Sequence, residues 1–148
     1  MADTVKTTVL KTLEESLGEV TGLASVIRNP SKPLDRETVN FPVAFVFDDV
    51  EKKEQRNRLA MVTMPVQIEV WLELDELALS DAGDTLAAEI ETKLLTDPGV
   101  LEWCRDIRPD PEASVSKFFV DEFLGGIVLR YIVQFQHLWT DPYDHGRR

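Results

Sequence analysis

The chain has 148 residues, 43% of them hydrophobic and 29% charged, which is typical of one globular domain that buries a core without disulfides or metals. Its formal net charge of -11 argues against sequence-independent binding of nucleic acid, which needs clustered lysine and arginine on the phosphates. The single cysteine allows no internal disulfide and fits a reducing cytoplasm. We expect no membrane span, because no run approaches about 20 apolar residues. We also expect no secretory signal, because the first residues show no cationic segment leading into an apolar one.

The N-terminal part of the chain predicts a helix and then a short strand. Asp3 or Thr4 is in position to cap the helix, and Gly18 or Gly22 is expected to end it. The apolar stripe has helical spacing and consists of Val5, Val9, Leu10, Leu13, Leu17 and Val20. Residues 23–27 predict the strand, and two prolines within residues 29–35 predict a loop after it.

Two strands separated by a dense charge run come next. Residues 41–47 predict a buried strand with Pro42 at its beginning or on a sheet edge, because proline lacks the amide hydrogen. Residues 59–74 alternate apolar and polar side chains and predict a long strand, in which Pro65 indicates a bulge or an edge. We interpret the charge run between them, residues 48–58, as the tip of a long hairpin.

The C-terminal half predicts a second helix and two further strands. Ser80 is in position to cap a helix over residues 80–96, whose apolar stripe consists of Leu79, Ala82, Leu86, Ile90 and Leu94. Residues 97–99 predict a stop turn with Gly99 at positive φ. A short helical turn at 100–105, a linker at 108–111, a strand at 114–123 and a turn at Gly125 and Gly126 are expected to follow.

The last strand, residues 126–139, is long for the domain that carries it. At about 3.3 Å per residue it would span roughly 45 Å, against about 17–20 Å for a typical strand. It therefore either bends or reaches beyond its own core. We predict that Tyr131, Val133 and Phe135 are buried within the protomer, and that Trp139 and the segment after it lie at or near a contact surface. The wider predicted core consists of Val43, Phe45, Phe47, Val66, Ile68, Val70, Leu129, Tyr131 and Phe135.

These elements predict an α+β fold. We expect a mixed, mostly antiparallel sheet of four to five strands, two helices packed on one face, and long hairpins extending from the core. The chain lacks a regular βαβ alternation, which argues against a doubly wound parallel sheet. We assign residues 1–139 to a single domain and residues 140–148 to a polar C-terminal tail.

No pattern in the chain is typical of catalysis, cofactor binding or metal binding. A Cys–His nucleophile pair could be drawn from Cys104 with His137, but nothing local supports it and a lone cysteine near a helix end usually serves packing. His137 and His145 lack the spacing of zinc ligands. Asp121 and Glu122 are adjacent carboxylates, but most such pairs are surface residues rather than an acid and a base. We therefore expect no catalytic, cofactor-binding or metal-binding residue.

The charge run and the exposed aromatic residues instead indicate an interaction surface. The carboxylates of Asp48, Asp49, Glu51 and Glu54 resemble a hard-cation site only in composition. The lysines and arginines between them favour a solvated or partner-facing loop. Trp71 lies between two glutamates and is expected to be covered by another surface. The predicted interaction surface consists of Glu51, Lys52, Lys53, Glu54, Arg56, Arg58, Trp71 and Trp139.

In the order of its landmarks the chain resembles the tail terminator, or tail completion, proteins of tailed bacteriophages. The resemblance covers nearly the whole chain. It comprises the N-terminal amphipathic helix, the proline-flanked segment before residues 41–47, and the charged hairpin with Glu51 and Arg56. The strand at residues 64–72, the acidic helix at 81–95 and the closing strand at 128–138, with Asp141-Pro-Tyr behind it, complete the set.

The resemblance implies a structural virion protein without enzymatic activity or cofactor. Such proteins form a hexameric ring that caps the finished tail tube, ends tube polymerisation and provides the docking surface for the head–tail connector. The expected partners are other copies of the chain, the tail tube protein and a connector or neck protein, and no membrane. DNA would pass through the ring without specific binding, since an anionic wall repels phosphates; the same charge also suits plain solubility.

The implied location is the head-proximal end of the tail, after assembly in the host cytoplasm. Two alternatives remain open at this point. One is another small phage neck or connector protein. The other is a small α+β ligand-binding domain or enzyme with a pocket between its helices and sheet.

Overall fold

A computed structural model describes residues 2–30, 39–74 and 79–146, apart from the side chain of Ser80. Residues 31–35 of the predicted loop lie outside the described residues. The described backbone of Ser80 lies inside a helix that begins at Leu79, so Ser80 is not at the predicted cap position. The helices are α1 (Val5–Gly18), α2 (Leu79–Thr96) and α3 (Pro98–Trp103). The strands are β1 (Ser25–Arg28), β2 (Val43–Asp48), β3 (Lys52–Arg56), β4 (Leu59–Glu73), β5 (Asp106–Pro109), β6 (Val115–Phe119) and β7 (Leu124–Leu138).

Two strands of 15 residues each, β4 and β7, form the centre of the sheet. They pair antiparallel along their whole length, from Leu59 opposite Leu138 to Glu73 opposite Leu124. The strand order is β1-β2-β4-β7-β5, with β3 also paired to β4 and β6 also paired to β7. Of the pairings between described strands, only that of β1 with β2 is parallel. The predicted α+β class is confirmed, but the described residues form seven strands and three helices rather than four to five strands and two helices.

One face of the sheet carries the helices and the core. Side chains of β4 alternate between buried and half-buried, and the buried set joins those of β7, α1 and α2 in one apolar cluster. Tyr131, Val133 and Phe135 are 3%, 0% and 1% exposed, as predicted. All other predicted core residues are buried too, except Phe47, which is half-buried. Burial continues along β4 as far as Ala60 at 0% exposure, so the length of the central strands is matched by core on this face.

The opposite face of the sheet carries none of the three helices in the described chain, and we call it the open face. Its residues on β4 are Leu59, Met61, Thr63, Pro65, Gln67, Glu69, Trp71 and Glu73, which are half-buried apart from the exposed Glu73. Mixed apolar and polar side chains at intermediate exposure are what a sheet shows when only one of its faces is packed on a core.

The first helix begins where the sequence places its cap. Thr4 is extended, and its Oγ1 accepts a hydrogen bond from Thr7 N at 3.1 Å, so Thr4 rather than Asp3 caps α1. The helix ends at Gly18, the first of the two predicted stop residues.

The charge run at residues 48–58 differs from the predicted hairpin tip. Strand β2 ends at Asp48, and β3 continues along the same side of β4 after residues 49–51. The turn is made by residues 57–58, with Asn57 at φ 57°. Five of the eleven residues of the charge run therefore form an edge strand paired with β4, and only its last two residues form a tip.

Pro65 lies in the middle of a central strand, so the predicted edge position is wrong. Its carbonyl oxygen accepts a hydrogen bond from Asp49 N at 2.9 Å, which shows that its missing N–H points to the same side. On that side the three residues 49–51 oppose only residues 64 and 65. The irregularity therefore lies in the chain opposite the proline, at residues 49–51. In a regular partner strand, the carbonyl group facing Pro65 would have received no hydrogen bond, because proline has no N–H.

Three shorter predictions fail, the first at a local helix cap and the other two because strand partners distant in sequence decide the local structure. Asp97 accepts a hydrogen bond from Gly99 N at 2.9 Å and caps α3, so Gly99 lies inside a helix and not in a turn. The predicted linker begins with residues 108 and 109, which belong to β5, because they pair with β7. Gly125 and Gly126 lie within β7, and the preceding turn falls at residues 120–123.

Candidate interaction surfaces

One end of the sheet collects most of the predicted interaction residues, and we call it the hairpin end. All five residues of β3 are exposed, and Glu51 directly precedes them. Trp139 N donates a hydrogen bond to Arg58 O at 2.6 Å, which fixes the tryptophan beside the turn after β3. Trp139 is 43% exposed, so it is not part of the core. The structure thus brings together Lys52, Lys53, Glu54, Arg56, Arg58 and Trp139.

The first carboxylates of the charge run contact α1. Lys6 Nζ lies 3.1 Å from Asp48 Oδ2 and 3.9 Å from Glu51 Oε1, and Asn29 Nδ2 donates to Asp48 Oδ1 at 3.0 Å. Partial burial raises the pKa of Asp48, but the hydrogen bonds from Lys6 and Asn29 outweigh it and hold the pKa below its ordinary value. These carboxylates are therefore occupied within the protomer, and the exposed strand β3 carries three cations against the single carboxylate of Glu54.

Trp71 lies on the open face towards the other end of the sheet, away from the remaining predicted residues. Its ring contacts Phe45 and Phe118 at centroid distances of 6.3 and 5.4 Å, both edge to face. Its Nε1 donates to Glu69 Oε1 at 3.2 Å. The surface expected to cover Trp71 is thus supplied, at least in part, by the chain itself.

The end of the sheet opposite the hairpin end carries an apolar surface that the sequence did not lead us to predict. Phe119, Val120 and Phe123 are 72%, 46% and 66% exposed, and we call them the apolar corner. Val115 is 46% exposed but pairs with Leu129, nearer the middle of the sheet. The pair Phe118-Phe119 is the feature of the sequence that could have indicated an exposed aromatic side chain here. Consecutive residues of a strand point to opposite faces, so only one of the two could join the Trp71 contact.

A cavity of about 400 Å³ opens at the hairpin end. Its lining residues are Arg56, Asn57, Leu59, Met61, Arg105 and Gln134, and we call it the arginine cavity. Arg105 Nη1 donates to Gln136 Oε1 at 2.6 Å, and Arg105 N donates to Gln134 O at 2.8 Å, so β7 holds this residue in place. Sequence reasoning missed Arg105 because only the pairing of β5 with β7 brings it to the hairpin end.

The Cys and His residues weighed for catalysis or metal binding are buried or packed within the protomer. Cys104 is 3% exposed and His137 is 5% exposed, so both side chains lie inside the protein and contribute to packing. The ring of His145 packs edge to face on Trp103 at 5.3 Å. Within residues 2–30, 39–74 and 79–146, no three His, Cys, Asp or Glu side chains are grouped so that they could hold a metal ion.

A surface groove of about 410 Å³ runs between α1 and β1, so one groove does lie between a helix and the sheet, but neither Cys104 nor His137 lines it. A second groove, of about 460 Å³, runs between the end of α1 and α2. Its charged lining residues include Glu19 and Lys93, whose Oε2 and Nζ atoms form an ion pair at 2.7 Å. Neither Cys104 nor His137 lines it. Neither groove therefore collects the residues that the ligand-binding or enzyme alternative would use.

The polar segment after β7 packs against the domain as far as residue 146. Pro142 O accepts from Val5 N at 2.9 Å, Asp144 O accepts from Leu138 N at 2.7 Å, and His145 O accepts from Gln136 Nε2 at 2.9 Å. These bonds place the segment over the end of β7 and the start of α1.

No protein-family model and no curated protein matches the chain. In the part of the chain that the structure describes, no helix is both long and apolar enough to cross a membrane.

Proposed function

We propose that the chain is a structural subunit of a phage virion, a tail terminator that assembles into a hexameric ring on the head-proximal end of the tail tube. In this role it ends tube polymerisation and offers a surface to the head–tail connector. The order of sequence landmarks supports the phage assignment and the number six. The observation that carries the proposal is the presence of two different uncovered surfaces, the hairpin end and the apolar corner, at opposite ends of the central strand pair.

Two unlike surfaces on one protomer are what a ring requires. In a heterologous contact one surface of each subunit meets a different surface of the next, and the chain of contacts closes when the rotation is right. The apolar corner is unusual for a monomer, because Phe119 and Phe123 both leave most of their surface exposed and aromatic side chains are enriched at interfaces. The β3 edge is unpaired on its outer side among the described residues, and its charges suit register-specific recognition more than affinity.

The net charge of -11 supports the same role. A ring around a DNA channel works best when its wall repels phosphates, since an attractive wall would hold the DNA in place. The proposal therefore includes passage of DNA without specific binding.

Light scattering on the purified chain, alone and with tail tubes from the phage or prophage that encodes it, tests the proposal. We expect a particle of six chain masses in solution at high concentration, or six chains per tube end when tubes are present. A chain that stays monomeric under both conditions would refute it. Rings that bind the connector but leave tube length uncontrolled would assign the chain to the neck instead.

A further inference from the structure

The apolar corner presents a rigid loop with one acidic and one aromatic tip. Val120 N and Asp121 N both donate to Leu124 O, at 2.9 and 3.1 Å, and Asp121 Oδ1 accepts from Phe123 N at 2.8 Å. Leu74 N further donates to Phe123 O at 2.7 Å. The loop therefore holds its shape while Glu122 and the 66%-exposed Phe123 point away from the core. A loop ordered before binding loses little conformational entropy when it docks.

The arginine cavity has the complementary chemistry. Arg56 and Arg105 supply two guanidinium groups, and Leu59 and Met61 supply an apolar floor from the open face of β4. The Arg56 side chain is 64% exposed and meets Glu54 only at 3.4 Å, so it is available to a second carboxylate. The arginine cavity has a volume of about 400 Å³, which lies within the range of ligand pockets, about 300–1,000 Å³.

The two surfaces lie on one protomer but cannot meet within it. Arg56 pairs with Leu59 at one end of β4, whereas Phe119 pairs with Gly125 at the other end of β7. The central strands separate these ends by roughly 45 Å at about 3.3 Å per residue. A contact between them therefore joins two copies head to tail, which is the heterologous geometry that closes a ring.

We propose that Glu122 and Phe123 of one copy dock into the arginine cavity of the next copy. The Glu122 carboxylate accepts charge-assisted hydrogen bonds from the Arg56 and Arg105 guanidiniums, and the Phe123 ring covers Leu59 and Met61. This contact rests on the proposed function, because it names the surfaces through which the ring subunits meet.

A second copy fits the cavity better than nucleic acid does. Phosphates would also bind two arginines, but the approach of a polyanion is opposed by the net charge of -11. Phosphates also have no apolar surface that could pack on Leu59 and Met61. A carboxylate beside an exposed phenylalanine matches both parts of the lining.

A charge exchange in the full-length chain tests the contact. We expect Arg56→Glu alone and Glu122→Arg alone each to raise the concentration for half-assembly by at least about tenfold, because each places like charges across the interface. The double variant is expected to assemble at least about threefold better than either single variant, because the ion pair between positions 56 and 122 is restored with its signs exchanged. Recovery stays incomplete, because Arg105 keeps its positive charge in the cavity. Arg108→Glu is the matched control, since Arg108 is exposed on β5 outside the cavity.

The apolar half of the contact has its own pair of variants. Phe123→Ser is expected to weaken assembly about tenfold, whereas Leu101→Ser, which removes a 48%-exposed side chain elsewhere, is expected to leave it unchanged. Circular dichroism melts of all variants confirm that each is folded, since every substituted side chain is exposed.

The outcomes separate this contact from the proposed function. A wild-type chain that is monomeric with and without tubes overturns both. Normal rings from Arg56→Glu and Glu122→Arg, or a double variant no better than the singles, overturn the contact alone. A mobility-shift assay in which Arg56→Glu abolishes binding to duplex DNA, with assembly intact, assigns the cavity to nucleic acid and equally overturns it.

Discussion

Replacing Gly126 with alanine should destabilise the protein, because two groups occupy the space of the new methyl group. A Cβ at this position would overlap the backbone carbonyl oxygen of Val70 and would lie 2.6 Å from Phe118 Cζ. The carbonyl belongs to β4 within its ladder with β7, so it cannot shift without disturbing the central pairing. The Phe118 ring can move only by leaving its contact with Trp71.

The loss of stability can be estimated from the crowding at the Val70 carbonyl and the displacement of the Phe118 ring. Forcing an extra carbon into a packed site costs about 1–3 kcal/mol, and loss of one edge-to-face aromatic contact adds about 0.5–1.5 kcal/mol. We therefore expect Gly126→Ala to lower the free energy of unfolding by about 2–4 kcal/mol. In a domain of this size this corresponds to a decrease of roughly 5–15 °C in Tm.

Urea unfolding followed by tryptophan fluorescence measures the effect, because Trp71 reports the displaced ring directly. Gly18→Ala is the matched control, since nothing lies within 4 Å of a Cβ at that helix end. It should leave stability unchanged or raise it by about 0.4–1 kcal/mol through the unfolded chain. A Gly126→Ala variant within about 0.5 kcal/mol of the wild type would show that the close approach of Phe118 is not as described.

Three further predictions concern the cap, an ion pair and the cysteine. Thr4→Ala should lower the free energy of unfolding in urea by about 1 kcal/mol through loss of the α1 cap, whereas Thr4→Ser should change it by a few tenths at most. Because the pKa of Asp48 in the folded protein lies below its ordinary value of 3.8, its ionised form contributes stability at neutral pH that is lost as the pH falls through the folded-state pKa. Asp48→Asn should therefore be less stable than the wild type at pH 7, and the difference should shrink below about pH 4; a constant difference would exclude the contacts with Lys6 and Asn29 as its cause. Cys104, at 3% exposure, should react with Ellman's reagent only as fast as the protein opens, and immediate labelling of the folded protein would contradict its burial.

The sequence predicted those parts of the fold in which local pattern and tertiary structure agree. Alternation along residues 59–74 identified the buried face of β4, and helical spacing identified α1 and most of α2, because these elements bury one face each. Asp97-Pro98-Gly99 was misassigned since aspartate before proline suits both a stop turn and the cap of a new helix. Gly126 was misassigned since its role depends on Phe118, which approaches through the pairing of β6 with β7.

The interaction surfaces were predictable only in part, because the sequence shows which residues are charged or aromatic but not which strands bring them together. Arg56, Arg58 and Trp139 were predicted separately as interface residues, because charge and aromatic character can be inferred locally. The structure places them at the same end of the sheet, and their role as a contact stays a prediction. Arg105 could not be placed, because β5 is a four-residue strand whose position is set by β7. Phe123 could not be recognised as exposed, because apolar residues next to a strand are usually assigned to the core.

The most direct test of the account is a negative-stain image of the chain mixed with tail tubes from the phage or prophage proposed to encode it. We predict six-fold rings with a central hole, seated on one end of each tube, and tubes that do not lengthen further once capped. Tubes that carry no ring and continue to grow in the presence of excess chain would contradict the account.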